Sequence, residues 1–210
     1  MILKGKTVAF LGDSITEGVG ASSPEMCFVS MFAKREGVLA RNYGISATRI
    51  ARQQNKFASN DFQDFVSRVE TLKDDADIVV VFGGTNDYGH GDAPFGSMED
   101  MTADTFCGAC NLLFERLNER FPRAVKVALT PLGRDGERVP PQGKHPLKEY
   151  AAAVKAFALR HGWYVLDLYE MCKSDPLVRG VRENLDDGLH PNDRGHALLA
   201  EAVAGFLKRI

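Results

Sequence analysis

Long apolar runs are missing from this sequence. None approaches the roughly 18 residues of a membrane-spanning helix, so no membrane span is expected. Charge of one sign is missing too. Lys and Arg number 26 against 28 Asp and Glu, a formal net charge of −2, which removes the broad electrostatic basis for binding nucleic acid or an anionic membrane. Cysteine is scarce, at 4 in 210 residues. Cys107 and Cys110 form a CxxC, but a zinc site needs about four ligands, and no second CxxC or histidine pair follows at ligand spacing. The segment reads as a helix, so buried core cysteines in a reducing cytoplasm are expected. Residues 1–10 are not expected to form an export signal: Lys4, Gly5 and Lys6 split the apolar stretch, which runs straight into an expected core strand. With no repeat, low-complexity tract or linker, a single domain over 1–210 is expected.

What is present is an alternation of two periodicities. Short apolar, β-branched runs at 7–11 (TVAFL), 38–43, 78–82 (IVVVF), 125–129 and 163–168 read as strands. Helical spacing marks 26–36, 62–72, 102–120, 146–161 and 193–208, the last capped by Asn192 or Asp193. Residues 78–82 are apolar throughout, as a strand covered on both faces should be. Strand–helix alternation implies right-handed crossovers and a parallel sheet between helical layers, an α/β fold. Long loops are expected at 45–60, 87–101 and 132–145, each leaving the carboxyl end of a strand, where open α/β sheets build their sites.

The chemistry-bearing residues cluster at those strand ends. Gly12-Asp13-Ser14 follows the first strand. A serine at a strand-to-helix turn meets free backbone N–H groups that favour a developing anion; it could equally be a plain helix cap, with Glu17 as its capping-box partner. A serine nucleophile needs a base, and imidazole suits that work at neutral pH. Asp187-Gly-Leu-His190-Pro191 supplies a histidine with an aspartate three residues before it, able to reach Nδ1–H while Nε2 faces Ser14. Gly83-Gly84-Thr85-Asn86-Asp87 follows the most hydrophobic strand, and the Asn86 amide could donate to an oxyanion. Asn42-Tyr43-Gly44 ends the second strand and adds the Gly44 N–H as a further donor. Singly each motif has an ordinary structural explanation; together they supply nucleophile, base, orienter and oxyanion donors at one sheet edge.

These blocks, in this order, resemble the SGNH hydrolases, the GDSL-like lipase/acylhydrolase family. Gly12-Asp13-Ser14-Ile15 is similar to the family's first block, Gly44 to its second, Gly83-Gly84-Thr85-Asn86-Asp87 to its third and Asp187-Gly-Leu-His190-Pro191 to its fifth. The resemblance implies a three-layer α/β/α flavodoxin-like sandwich with a five-stranded parallel sheet in the order 2-1-3-4-5. It implies Ser14 as nucleophile, His190 as base and Asp187 as its orienter, with an oxyanion hole from the N–H groups of Ser14 and Gly44 and the Asn86 side chain. Gly12, Asp13 and Gly84 would support that constellation. No metal and no organic cofactor is expected, and the partner is a small-molecule ester. Oligomeric state is not specified by the sequence, and a homo-oligomer is compatible with it.

The family's substrates range from lipids to sugar esters. The expected loops carry Arg49, Arg52, Gln53, Tyr88, His90, Asp92, Arg134, Arg138 and His145, a polar rim suited to a short acyl ester of a hydrophilic alcohol, such as an O-acetylated sugar or small metabolite. Phe95, Met98 and Met101 could instead line an acyl pocket, as a lysophospholipase or thioesterase would need, or pack the loop down. Two readings from other classes compete. One is a metal-dependent phosphatase using Asp13, Asp87, Asp187 and His190; the other is a non-catalytic carbohydrate-binding domain on the same fold.

Overall fold

A computed structural model describes residues 1–53, 63–134, 137 and 145–210. Strands β1 (Thr7–Gly12), β2 (Leu39–Gly44), β3 (Ile78–Phe82), β4 (Val125–Leu129) and β5 (Tyr164–Leu166) form one parallel sheet in the order β2-β1-β3-β4-β5. The helices are α1 (Ser14–Glu17), α2 (Phe28–Glu36), α3 (Phe65–Arg68), α4 (Thr85–His90), α5 (Phe106–Arg120), α6 (Leu147–Arg160), α7 (Leu168–Ser174), α8 (Pro176–Arg182) and α9 (Asp193–Arg209). No helix among the described residues is long and apolar enough to cross a membrane.

The all-apolar strands are explained by a core on each face. Alternate side chains of β1 point opposite ways: Val8 and Phe10 pack with α2 and α9, Ala9 and Leu11 with α3, α5 and α6. Phe10 meets Phe28 and Phe32 edge-on, at 5.7 and 5.5 Å between ring centroids. Each such ring, removed fully from water, contributes roughly 1.5–3 kcal/mol. Register then sets the active edge. Gly12 lies opposite both Gly44 and Phe82, so the chain leaves β1, β2 and β3 at one level.

Several boundaries differ from the periodicity. The helix expected from 102 begins at Phe106, because Thr105 caps it and accepts from the Gly108 N–H at 3.2 Å. The helix expected over 62–72 is capped by Asp64 and runs as α3 and a 3₁₀ turn, Val69–Thr71; Phe62 lies outside the described residues. The helix expected from 26 starts at Phe28 after a 3₁₀ turn, Pro24–Met26. The expected fifth strand, 163–168, is cut short where Asp167 accepts from the Glu170 N–H and starts α7. Residues 87–90 of the loop expected at 87–101 are helical, in α4, and helices α7 and α8 were also not expected. Their signals are local: Asp167 with Glu170 three residues on, and Asp175 before Pro176 at the first helical position. Cys107 and Cys110 are buried on α5, and all four cysteines are free.

Candidate active site

The Ser14 turn is a case of close packing. Asp13, not Ser14, caps α1: its carboxylate accepts from the Ile15 N–H at 3.1 Å. Ser14 is therefore the first residue of the helix, its hydroxyl released from capping and its N–H without an intrahelical acceptor. A side chain at Gly12 would sit 2.0 Å from Thr16 Oγ1, so only glycine lets α1 fold back on β1 there. Glu17 is no capping-box partner either, because its carboxylate accepts from the N–H of Ser46 at 2.6 Å and from the Ser46 hydroxyl.

From the far end of the chain, the turn before α9 brings His190 to Ser14. The Ser14 hydroxyl lies 2.9 Å from His190 Nε2, and His190 Nδ1 lies 2.6 Å from Asp187 Oδ2. A carboxylate can only accept, so Nδ1 carries the hydrogen and Nε2 is left to accept from Ser14. Asp187 also accepts from the backbone N–H groups of His190 and Leu189, at 2.7 and 2.9 Å. Burial alone would raise its pKa; those N–H groups and the imidazole outweigh that and hold it at about 2. The turn is braced on its other side by the segment after α1. Gly20 approaches so closely that a side chain would meet Pro191 O at 2.3 Å. Ser22 donates through its N–H and hydroxyl to Asp193, both at 2.7 Å. Buried His196 accepts from the Phe28 N–H and donates to Val19 O, both at 3.3 Å.

Asn86 enters through α4, whose N-cap is Gly84, a residue in the left-handed region at φ 102°. It is buried, and its Nδ2 donates to Thr48 O at 3.0 Å while Oδ1 faces His90 Nε2 at 3.2 Å. One hydrogen of the amide is left without a described partner.

Gly44 requires a correction. Its N–H donates to Asn42 Oδ1 at 2.8 Å, so it is occupied rather than open to an oxyanion. Its glycine identity has another cause: a side chain there would lie 2.0 Å from Glu17 N, inside α1. Among the described residues of this loop, Ala47 offers an open donor beside Ser46 and Thr48. Among the described residues it is the one non-glycine with positive φ, at 63°, and its N–H donates to no described residue. Its neighbours fix its place, with Ser46 tied to Glu17 on α1 and Thr48 tied to Asn86 on α4.

Beneath these groups lies a buried charge network. Asp87 accepts from the N–H groups of Ile50 and Ala51, both at 3.0 Å. Arg68 donates to Gly12 O at 3.1 Å, to Thr48 Oγ1 at 3.0 Å and to Tyr43 O, joining the ends of β1 and β2 to the loop. Burial pushes Asp13 up to about 7, against the Ile15 N–H, with the Asp87 charge adding to the rise and Arg68 opposing it. Burial likewise raises Asp87 to about 6, opposed by the N–H groups of Ala51 and Ile50 and by Arg49. Burial lowers Arg68 to about 10. Both Asp87 oxygens are engaged, and among the described residues no three His, Cys, Asp or Glu side chains converge as metal ligands would.

The expected polar rim divides. Arg49 and Gln53 are buried; Gln53 accepts from the Asp92 N–H at 2.8 Å and donates to Ala51 O at 2.7 Å. Arg52 pairs with Asp104 on the surface, Arg134 stacks over Tyr88 at 5.1 Å, and His145 stacks on Phe95 at 4.0 Å. Arg138 lies outside the described residues. Phe95 packs the loop down against Phe106 and Tyr150, while Met98 and Met101 are exposed. Sequence reasoning missed Ala47, Arg68 and His196. Only Arg68 had a signal, standing on the apolar face three residues after Phe65.

A parallel sheet in this order, with a hydrogen-bonded serine, histidine and aspartate at its carboxyl edge, defines a class, the α/β ester hydrolases. Within it, the family model of the GDSL-like lipase/acylhydrolases matches residues 10–198, and the chain belongs to that family. A solved structure from Lactobacillus plantarum is 27% identical, covering 99% of this chain and 98% of that one at a TM-score of 0.82. One described as a possible lipase from Chitinophaga pinensis is 21% identical, covering 97% and 98% at 0.73. A lipase/acylhydrolase from Enterococcus faecalis is 23% identical, covering 97% and 96% at 0.68. No curated protein matches the sequence.

Proposed function

We propose that the chain is a serine esterase that cleaves a short-acyl carboxylic ester through an acyl-enzyme. The observation that carries this reading is the unbroken relay from Ser14 Oγ through the His190 ring to Asp187, at 2.9 and 2.6 Å. His190 takes the Ser14 proton as Oγ attacks the ester carbonyl, then returns it to the leaving alcohol; water repeats the sequence to release the acid. Asp187 orients the ring and stabilises it once protonated. The oxyanion is met by the N–H of Ser14, the spare N–H of Asn86 and, in place of Gly44, the N–H of Ala47.

Use of Phe95 in loop packing supports a short acyl group over a long chain. The polar side chains nearby suit a hydrophilic alcohol, an O-acetylated sugar or small metabolite. Four free, buried cysteines suit a cytoplasmic setting. The test is hydrolysis of p-nitrophenyl esters from acetate to palmitate, beside acetylated sugars, with an organophosphonate label. Turnover highest on acetate, unaffected by EDTA, with one label per chain and none on Ser14→Ala, is the expected result. A folded protein that neither labels nor hydrolyses any ester overturns the proposal.

A further inference from the structure

Arg49 and His90 lie far apart in the sequence and belong to neither the relay nor the donors, yet they join the two loop-borne donors. The Arg49 guanidinium is buried, and one nitrogen donates to Ala47 O and to His90 Nδ1, each at 3.0 Å. A guanidinium cannot accept, so Nδ1 accepts and the His90 hydrogen is on Nε2. That nitrogen then donates to Asn86 Oδ1 at 3.2 Å, which fixes the amide with its Nδ2 toward Thr48 O. The chain Ala47–Arg49–His90–Asn86 closes through Thr48, the residue next to Ala47, into a ring of polar contacts.

We propose that Arg49 and His90 are positioning residues for the oxyanion hole. Arg49 holds the carbonyl side of the left-handed Ala47 peptide, and His90 passes its constraint to the Asn86 amide. The two open N–H groups are thereby fixed relative to one another before substrate arrives. Rigid donors are what such a site requires, since they lower the barrier only if they need no rearrangement as charge develops. The inference rests on the oxyanion roles proposed for Ala47 and Asn86.

The experiment compares Arg49→Met, Arg49→Lys, His90→Ala and His90→Gln on the p-nitrophenyl ester that the wild type cleaves best. Glutamine offers an acceptor and a donor about as far apart as the two ring nitrogens, so it can replace both contacts. Arg49→Met and His90→Ala are each expected to lower kcat about 10- to 100-fold with KM within about twofold, a fraction of the loss for removing a donor outright. His90→Gln should recover most of that loss. The Arg49→Met/His90→Ala double variant should lose little more than the worse single variant, as members of one network do.

A raised KM with kcat retained would instead make these residues substrate contacts and overturn the proposal, as would His90→Gln no faster than His90→Ala. Should Arg49→Met not fold, the His90 pair carries the test. A second readout needs no substrate. In ¹⁵N–¹H spectra the Asn86 side-chain amide should shift in His90→Ala and return in His90→Gln. Its failure to move overturns the positioning role, whereas absence of any esterase activity in wild type with the amide response intact overturns the proposed function alone.

Discussion

The two halves of the site are built by different means. The base half, Asp187 to His190, lies within one turn; its aspartate side chain is 58% exposed, and its key contacts span three residues. The proposed anion half is assembled from Ser14, the loop after β2, and α4, largely on buried side chains: Arg68, Arg49, Asn86 and Asp87, with the exposed His90 closing the set across tens of residues. An orienting carboxylate serves one ring and tolerates water. Donors to a transient anion must be fixed and dry, because water would screen them and compete for the charge.

That contrast predicts opposite responses in the two halves. Asp187→Asn should lower kcat by about 10²- to 10⁴-fold, since the amide can stabilise the wrong imidazole tautomer, while costing no more than about 1 kcal/mol of stability, because water screens this exposed carboxylate. A rate close to wild type would remove Asp187 from the relay and break the comparison on its exposed side.

Asp13 should show the reverse on the buried side. Its folded pKa of about 7 stands above an ordinary carboxylate near 4. The folded state therefore holds the proton more tightly, and stability falls as pH rises from about 4 to about 7, then levels off. Asp13→Asn keeps an acceptor for the Ile15 N–H without the charge. It should gain on wild type by roughly 2–4 kcal/mol between pH 4 and pH 8, at about 1.4 kcal/mol per pKa unit. Parallel urea curves with a difference independent of pH would show that Asp13 is not charged at the cost of burial.

The smallest effect tests Ala47. A left-handed non-glycine residue costs about 1–2 kcal/mol, partly offset by glycine's greater chain entropy. Ala47→Gly should therefore gain roughly 0.5–1 kcal/mol with kcat retained, because the backbone N–H is kept. Lower stability would mean that the φ of 63° carries no strain.

Legibility followed the same division. Strand order came from resemblance, but the strands themselves, Ser14, His190 and Asp187 were readable as residues, because short runs and a three-residue spacing are local quantities. Gly44 was misread as an oxyanion donor. A glycine at a strand end looks the same whether it offers its N–H or yields room for a helix, and the Glu17 backbone 2.0 Å from its absent side chain decides for room. Arg49 and His90 read as separate members of a polar substrate rim, since no spacing joins positions 49 and 90.

By itself, then, the sequence determined the alternating α/β architecture, the buried strands and the motifs that carry Ser14, Asp187 and His190, all written in local periodicity and short motifs. Only the tertiary structure decided which backbone N–H is open, which charges are buried and what holds the donors. Those properties depend on how close separate segments come, and an unpaired N–H or a buried guanidinium exists only once the chain has closed around it.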